Sequence, residues 1–370
     1  MEKGKISALQ MAMLLYLTIV ATGIIGLPAI TAKYAGNDLW ISPIIASLAG
    51  FLIVFIAITL HKLYPGKTVM QYSEDIMGRI PGKVSGFFVL IFYMEVTGSV
   101  IRNYSDFILT SFLFRTPLIF VVVSMLFLCA FCIYGRLEVL ARCAQFLFPI
   151  FILPLFFSIL FLAKDFHFGN ILPILENGIM PTFKGAIPPS GWFGEIFVIA
   201  FLLPYLADEK KGMKFGMYSV LGTMLTFVIV NLAALFVLGM ATSNKTYPLM
   251  NAIRYANLGS FFENIEAVIM AVWIVGAFVK ISVLYYVLAL GTAQWLNLSD
   301  YRPVVWPIGI LLVQFTFWGL PSEMAVGRFD ATDFPLYSFF IQLSLPLFLL
   351  VIALMRNKYK KKKDDKPAQT

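Results

Sequence analysis

Charge is scarce in this sequence. Asp, Glu, Lys and Arg make up 13% of its 370 residues, against about 25% in an ordinary soluble domain. Histidine is scarcer still: His61 and His167 are the only two. Both fall at expected helix ends or in loops, which argues against a His-based catalytic centre or metal cluster. Of the three cysteines, Cys129 and Cys132 form a C-x-x-C inside the apolar run Val121 to Ile133. A metal or redox pair needs access and polar neighbours, so these are expected to be free thiols packed among helices. No small-residue cleavage site follows the first apolar stretch, which therefore reads as a retained helix. There is no nucleophile elbow, no phosphate loop and no acid–base pair at catalytic spacing. The sequence thus gives no support for an enzyme, and no metal or cofactor is expected.

What is abundant is apolar: 60% of the residues. The apolar residues recur in runs of the roughly 20 needed to span a bilayer. Ten spans are expected, near 9–35, 39–60, 85–112, 117–135, 142–163, 190–207, 213–240, 261–295, 303–320 and 335–355, forming one transmembrane domain over 1–370. Turn signals such as Pro65-Gly66, Pro81-Gly82 and Ser299-Asp300 separate them. The net charge of +8 is a topology signal rather than a sign of nucleic-acid binding. With the N-terminus inside, the inner segments hold nineteen Lys and Arg and the outer ones eight, Lys280 being mid-span. That bias puts both termini, and the basic tail 356–370, on the cytoplasmic side. The tail is suited either to touching anionic headgroups or simply to anchoring the last span. Apolar residues spaced between charges from Gly66 to Arg79 suit a short helix on the inner face.

Two spans carry helix breakers. The first contains Gly23-Ile-Ile-Gly26-Leu-Pro28 at its middle, where a break lining a cavity and a packing kink both fit. The sixth contains Gly194-Glu195 and, further on, Leu203-Pro204. Interrupted spans five apart and of opposite direction point to a five-plus-five inverted repeat, with halves near 9–163 and 190–355 and a solute site at the midplane.

Charges inside the spans are expensive and should face protein or water. Glu95, Arg102 and Asp106 share a face of span three, and Arg102 can pair with Asp106 at i,i+4. Glu195 lies in span six. Lys280 lies near the midplane of span eight, too deep to snorkel, and Ser260-Phe-Phe-Glu263 reads as a capping box at that span's outer end.

Taken in order, several pieces resemble the B subunit of spore germination nutrient receptors, the endospore germination permeases. They are Ile6-Ser7-Ala8-Leu9-Gln10 running into Gly23–Pro28, Tyr64-Pro65-Gly66-Lys67-Thr68 with Ile76-Met77-Gly78 and Pro81-Gly82-Lys83, Gly194-Glu195 with Leu203-Pro204, and Tyr247-Pro248, Arg254 and Glu266 ahead of Trp273 and Lys280. The likeness runs over nearly the whole chain. It implies the all-α, LeuT-like fold of the amino acid–polyamine–organocation superfamily, with helices one and six broken. It implies a germinant-sensing subunit in the inner membrane of the endospore, binding an amino acid-like solute and acting with a larger A-type membrane subunit and a C-type lipoprotein. An ion-coupled permease of similar solutes is the alternative. By position, the resemblance carries Thr22, Gly23, Ile24, Ile25, Gly26 and Leu27 into the site, together with Phe201, Leu202, Leu203 and Pro204; Glu95 and Lys280 lie alongside. Two roles stay open for Lys280. It can replace a sodium ion beside Thr22 and Gly23, or it can pair with Glu95.

Overall fold

The computed structural model describes residues 2, 4–255, 265–319 and 322–364. Among these residues, eight helical segments are long and apolar enough to cross a membrane, and two shorter apolar helices bring the number to the expected ten. Helix α1 (Ala8–Ala35) starts at a capping box: the Ser7 hydroxyl accepts from the Gln10 amide, and the Gln10 side chain accepts from the Ser7 amide. Two of the first turn's unpaired groups are thereby satisfied. Next come α2 (Ser42–Leu63), the short α3 (Val69–Met77), the 33-residue α4 (Arg79–Ser111), α5 (Leu118–Tyr134) and α6 (Arg136–Leu162). Span six is composite. Helix α7 (Met180–Gly194) passes into a 3₁₀ turn at Glu195–Val198, a single turn of α-helix α8 (Ile199–Leu202) and a second 3₁₀ turn at Leu203–Tyr205. The rest are α9 (Gly212–Leu238), α10 (Pro248–Tyr255), α11 (Ile265–Trp295) and α12 (Arg302–Trp318). The last span strings together α13 (Glu323–Arg328), a π turn at Phe329–Asp333, α14 (Phe334–Ser338), a second π turn at Phe339–Ser344 and α15 (Leu345–Asp364).

Burial separates inner from outer spans. The apolar windows of α1, span six and the described part of α11 are 83%, 89% and 83% buried, against 22% for α6 and 33% for α9. A helix that is apolar all round belongs inside. The outer helices instead expose Phe55, Phe120, Phe146 and Ile310, as surfaces meant for hydrocarbon do.

Spans one and six run antiparallel. Just before α1, the Ile6 amide donates to the Tyr205 carbonyl and the Ala207 amide donates to Ile6, each at 2.9 Å. Beyond the other end of α1, the Asp38 carboxylate accepts from the Leu175 amide at 3.0 and 3.1 Å, shortly before α7 begins. The end of the bundle that holds the N-terminus is sealed. Glu2 is buried there, accepting from the Gly4 and Leu137 amides at 2.8 and 3.0 Å and from the Tyr301 hydroxyl at 3.3 Å.

Helix one departs from expectation, since α1 keeps its α-helical pattern through Pro28 instead of breaking. Gly23 is there for close approach, because a Cβ would collide with the Phe227 ring of α9. Beyond it, the Thr31 hydroxyl donates to the carbonyls of Leu27 and Pro28 at 2.8 and 3.3 Å. Tertiary packing thus offsets the helix-breaking residues. The expected inner-face helix exists as α3, with Val69, Met70, Tyr72 and Ile76 buried on the protein itself. Cys129 and Cys132 are buried free thiols. The expected capping box at Ser260–Glu263 lies outside the described residues.

Candidate functional site

The site starts from a lysine that cannot reach water. Lys280 and Glu195 are 0% and 1% exposed at their side chains. Lys280 projects from α11, and its Nζ donates to Glu195 Oε1 and Oε2 at 2.8 and 2.7 Å and to Thr22 Oγ1 of α1 at 2.6 Å. An ammonium has three donors, and here three oxygens meet them. An unpaired buried charge would cost several kcal/mol, so each partner depends on the other. Glu195 is supplied by the interruption of span six: α7 ends at Gly194 and the chain tightens to 3₁₀ at the acid. Gly194 has to be glycine, because a Cβ would run into the Ser338 hydroxyl and Gln342 of the last span.

Directly above lies a second acid, Asp330, in the π turn of the last span. It accepts from Asn103 Nδ2 of α4 at 3.1 Å. Single π turns inside helices often mark functional positions. Thr22, Asn103, Trp192 and Asp330 form a floor shared by two spaces. Beneath it, Glu195, Lys280, Ser99, Phe329 and Phe334 surround about 10 Å³, room for roughly one water. Above it, a vestibule of about 800 Å³ opens at the end of the bundle opposite the N-terminus. Its walls include Ile25, Gly26, Ala29 and Ile30 of α1, and Lys33, Lys245 and Arg328 stand farther out. A Cβ on Gly26 would have only Ile30 within reach, at 3.9 Å. The cavity is thus open at one end, and the hydrogen bonds of Glu2 and Ile6 close the other.

Of the expected site residues, the structure brings Thr22, Ile25, Gly26, Glu195 and Lys280 to these spaces. Gly23, Ile24 and Leu27 lie in the same stretch of α1 but are packed into the interior. Phe201, Leu202, Leu203 and Pro204 are buried beyond the interruption of span six, with Phe201 edge-on to Tyr93 at 6.0 Å; they line neither space. The Lys280–Glu95 pairing is corrected: the acid on Lys280 is Glu195, and Glu95 is only partly buried. Arg102 does pair with Asp106, at 2.8 Å, away from the cavity walls. Depth had suggested Glu95, but the face of α4 turned to the cavity carries Val96, Ser99 and Asn103. One residue along a helix rotates the side chain by about 100°, enough to remove Glu95. Asp330 was missed because its run, Arg328-Phe-Asp-Ala-Thr-Asp333, reads as a polar loop ahead of the last span. Phe329 and Phe334, spaced five apart as a π turn allows, were its available signal.

Comparison with known proteins follows the same lines. The family model of spore germination proteins, Spore_permease, matches residues 5–322. The chain belongs to this family. Relatives of the chain in Bacillus subtilis (strain 168) include spore germination protein KB, 25% identical with all of both chains aligned. Spore germination protein YndE is 25% identical over 97% of this chain and 99% of its own, and spore germination protein A2 is 23% identical over 92% and 93%. Solved structures share the fold at much lower identity. A Na⁺-coupled sialic acid symporter in a substrate-bound outward-open state superposes with a TM-score of 0.65 at 12% identity, over 95% of this chain and 78% of its own. MhsT in complex with L-phenylalanine gives 0.62 at 12% identity, over 95% and 99%. The chain therefore has the LeuT-like fold seen in ion-coupled transporters, in which inverted repeats frame a midplane site.

Proposed function

We propose that the chain is the germinant-sensing subunit of a spore germination receptor and that it binds a small amino acid-like solute at the vestibule floor. The observation carrying this reading is the Thr22–Glu195–Lys280 constellation, buried beneath an open vestibule in a transporter fold. Such a floor can recognise a solute, and the sealed opposite end makes binding a one-sided event. In this reading Ile25 and Gly26 face the solute directly. Residues 23–24 and 27 of α1, and Phe201–Pro204, support it from behind. The Lys280 ammonium, fully bonded to Thr22 and Glu195, fills the place of a bound cation, so no sodium is needed. The repeat halves are 9–163 and 190–355. The protein sits in the inner spore membrane with both termini on the core side, acts with an A-type membrane subunit and a C-type lipoprotein, and catalyses no reaction.

The second reading is a secondary transporter of the same solutes, which the symporter fold favours. Reconstitution separates the two. Proteoliposomes carrying the purified protein should bind a labelled amino acid without accumulating it, and spores carrying Gly26→Leu should lose their response to that amino acid. Concentrative, ion-driven uptake would replace the sensor with the transporter. Neither binding nor uptake, together with an undiminished response of Gly26→Leu spores, would remove the site altogether.

A further inference from the structure

The charges of the floor do not cancel, and the remainder specifies the ligand. Lys280 and Glu195 neutralise each other, and all three ammonium donors are used. Asp330 attracts Lys280 without a hydrogen bond to it, and one negative charge is left over. Asn103 occupies one Asp330 oxygen, and the other has no hydrogen-bond partner among the described residues. The acid is only partly buried and borders the vestibule as well as the space below. A carboxylate at the bottom of a deep cavity is costly until a cation meets it. Farther out the sign reverses, because Lys33, Lys245 and Arg328 line the vestibule. These basic groups oppose a simple amine and favour an approaching carboxylate.

We propose that Asp330 is the ammonium-recognising residue of the site and that the ligand is a small zwitterion, bound with its primary ammonium on Asp330 and its carboxylate toward the basic outer wall. This inference rests on the vestibule being the solute site. It assigns specificity to a residue outside spans one and six, and it excludes neutral sugars and nucleosides as ligands.

The test uses the full-length protein in detergent, with Gly26→Cys as a reporter in the vestibule and Cys143→Ser to remove the one native thiol that is not buried. Two thiol reagents of similar size are compared, 2-aminoethyl and 2-sulfonatoethyl methanethiosulfonate, each normalised to its rate with a free thiol. Asp330→Asn should lower the cation-to-anion rate ratio by about tenfold, the effect of one nearby charge at an energy of about 1.4 kcal/mol. Asp330→Glu should retain the ratio of the parent. A ratio unmoved by Asp330→Asn overturns the proposal while leaving the vestibule as a site. Failure of both reagents to modify the reporter thiol at position 26 overturns the vestibule itself. A second measurement reads binding: thermal shifts of the full-length protein without the reporter substitutions, with the twenty L-amino acids, their desamino acids, D-glucose and inosine. At least one amino acid should stabilise the parent, its desamino acid should not, and Asp330→Asn should abolish the difference. Stabilisation by glucose or inosine alone, unchanged in Asp330→Asn, overturns the zwitterion assignment.

Discussion

Replacing Lys280 with Met tests the buried pair most sharply. The ammonium has three bonds of 2.6–2.8 Å and no exposed surface. Met is similar in length to Lys, so volume changes little. What remains is the Glu195 carboxylate with its cation gone. Leaving one partner of a buried pair unmatched costs about 3–5 kcal/mol. With an unfolding entropy of about 2.1 cal/mol/K per residue, that is a fall in midpoint of roughly 4–6 °C. Glu195→Gln should show a loss of the same order, because the lysine is then unmatched. The double change Glu195→Gln with Lys280→Met removes both charges and should recover at least half of the summed losses, a coupling well above the roughly 0.5 kcal/mol expected for independent sites. Glu95→Gln, which has no contact with Lys280, should move the midpoint by less than about 1 °C. The assay is thermal unfolding of purified protein in detergent, followed by intrinsic fluorescence. If Lys280→Met melts with the parent, or if the double variant loses the plain sum of the singles, the pair does not exist as described.

Gly26→Leu should project into the vestibule where the solute would sit without hurting the fold, because its Cβ meets only Ile30 at 3.9 Å; the expected result is lost solute binding with an unchanged melting midpoint. Gly23→Ala should do the opposite, costing about 1–3 kcal/mol by overpacking against Phe227, read as a lower midpoint in the same melt. Single cysteines at Asn170 and Asn244 should react with an impermeant thiol reagent outside sealed membranes, and one at Lys361 should not; labelling at 361 would reverse the topology. At the sealed end, hydrogen bonds from Arg302 hold the Asp300 carboxyl down to about 2. Its folded pKa is depressed, so its stabilisation is complete above the unfolded value of about 4 and is lost only as pH falls toward 2. Asp300→Asn should therefore lower the midpoint by the same small amount at pH 5 and pH 8.

The ten spans were legible because apolar runs are a property of the chain alone. The importance of Glu195 and Lys280 was legible for the related reason that charge in such a run needs a partner. Which partner was not legible. Glu95 matches Lys280 in estimated depth, and it is removed only by how α4 is rotated about its axis, a tertiary quantity. Proline misled in span one only, since a second 3₁₀ turn of span six does fall at Leu203–Tyr205, where Pro204 sits. Pro28 is accommodated within α1, while the interruption of span six begins at Gly194, ten residues ahead of Pro204. Glycine was the better marker there, since close packing by the last span requires the missing Cβ. Asp330 stayed hidden because a π turn changes the helical period, and a polar stretch without the usual period resembles a loop.

In the proposed reading a small solute binds on the floor formed by Thr22, Asn103, Trp192 and Asp330, above the Lys280–Glu195 pair. An experimental structure of the purified protein, determined with the amino acid that stabilises it most in thermal shift, addresses this directly. The account predicts solute density on that floor, with the solute's nitrogen at hydrogen-bond distance from Asp330 and Lys280 still on Glu195. Density elsewhere, with the floor filled only by water, would contradict it.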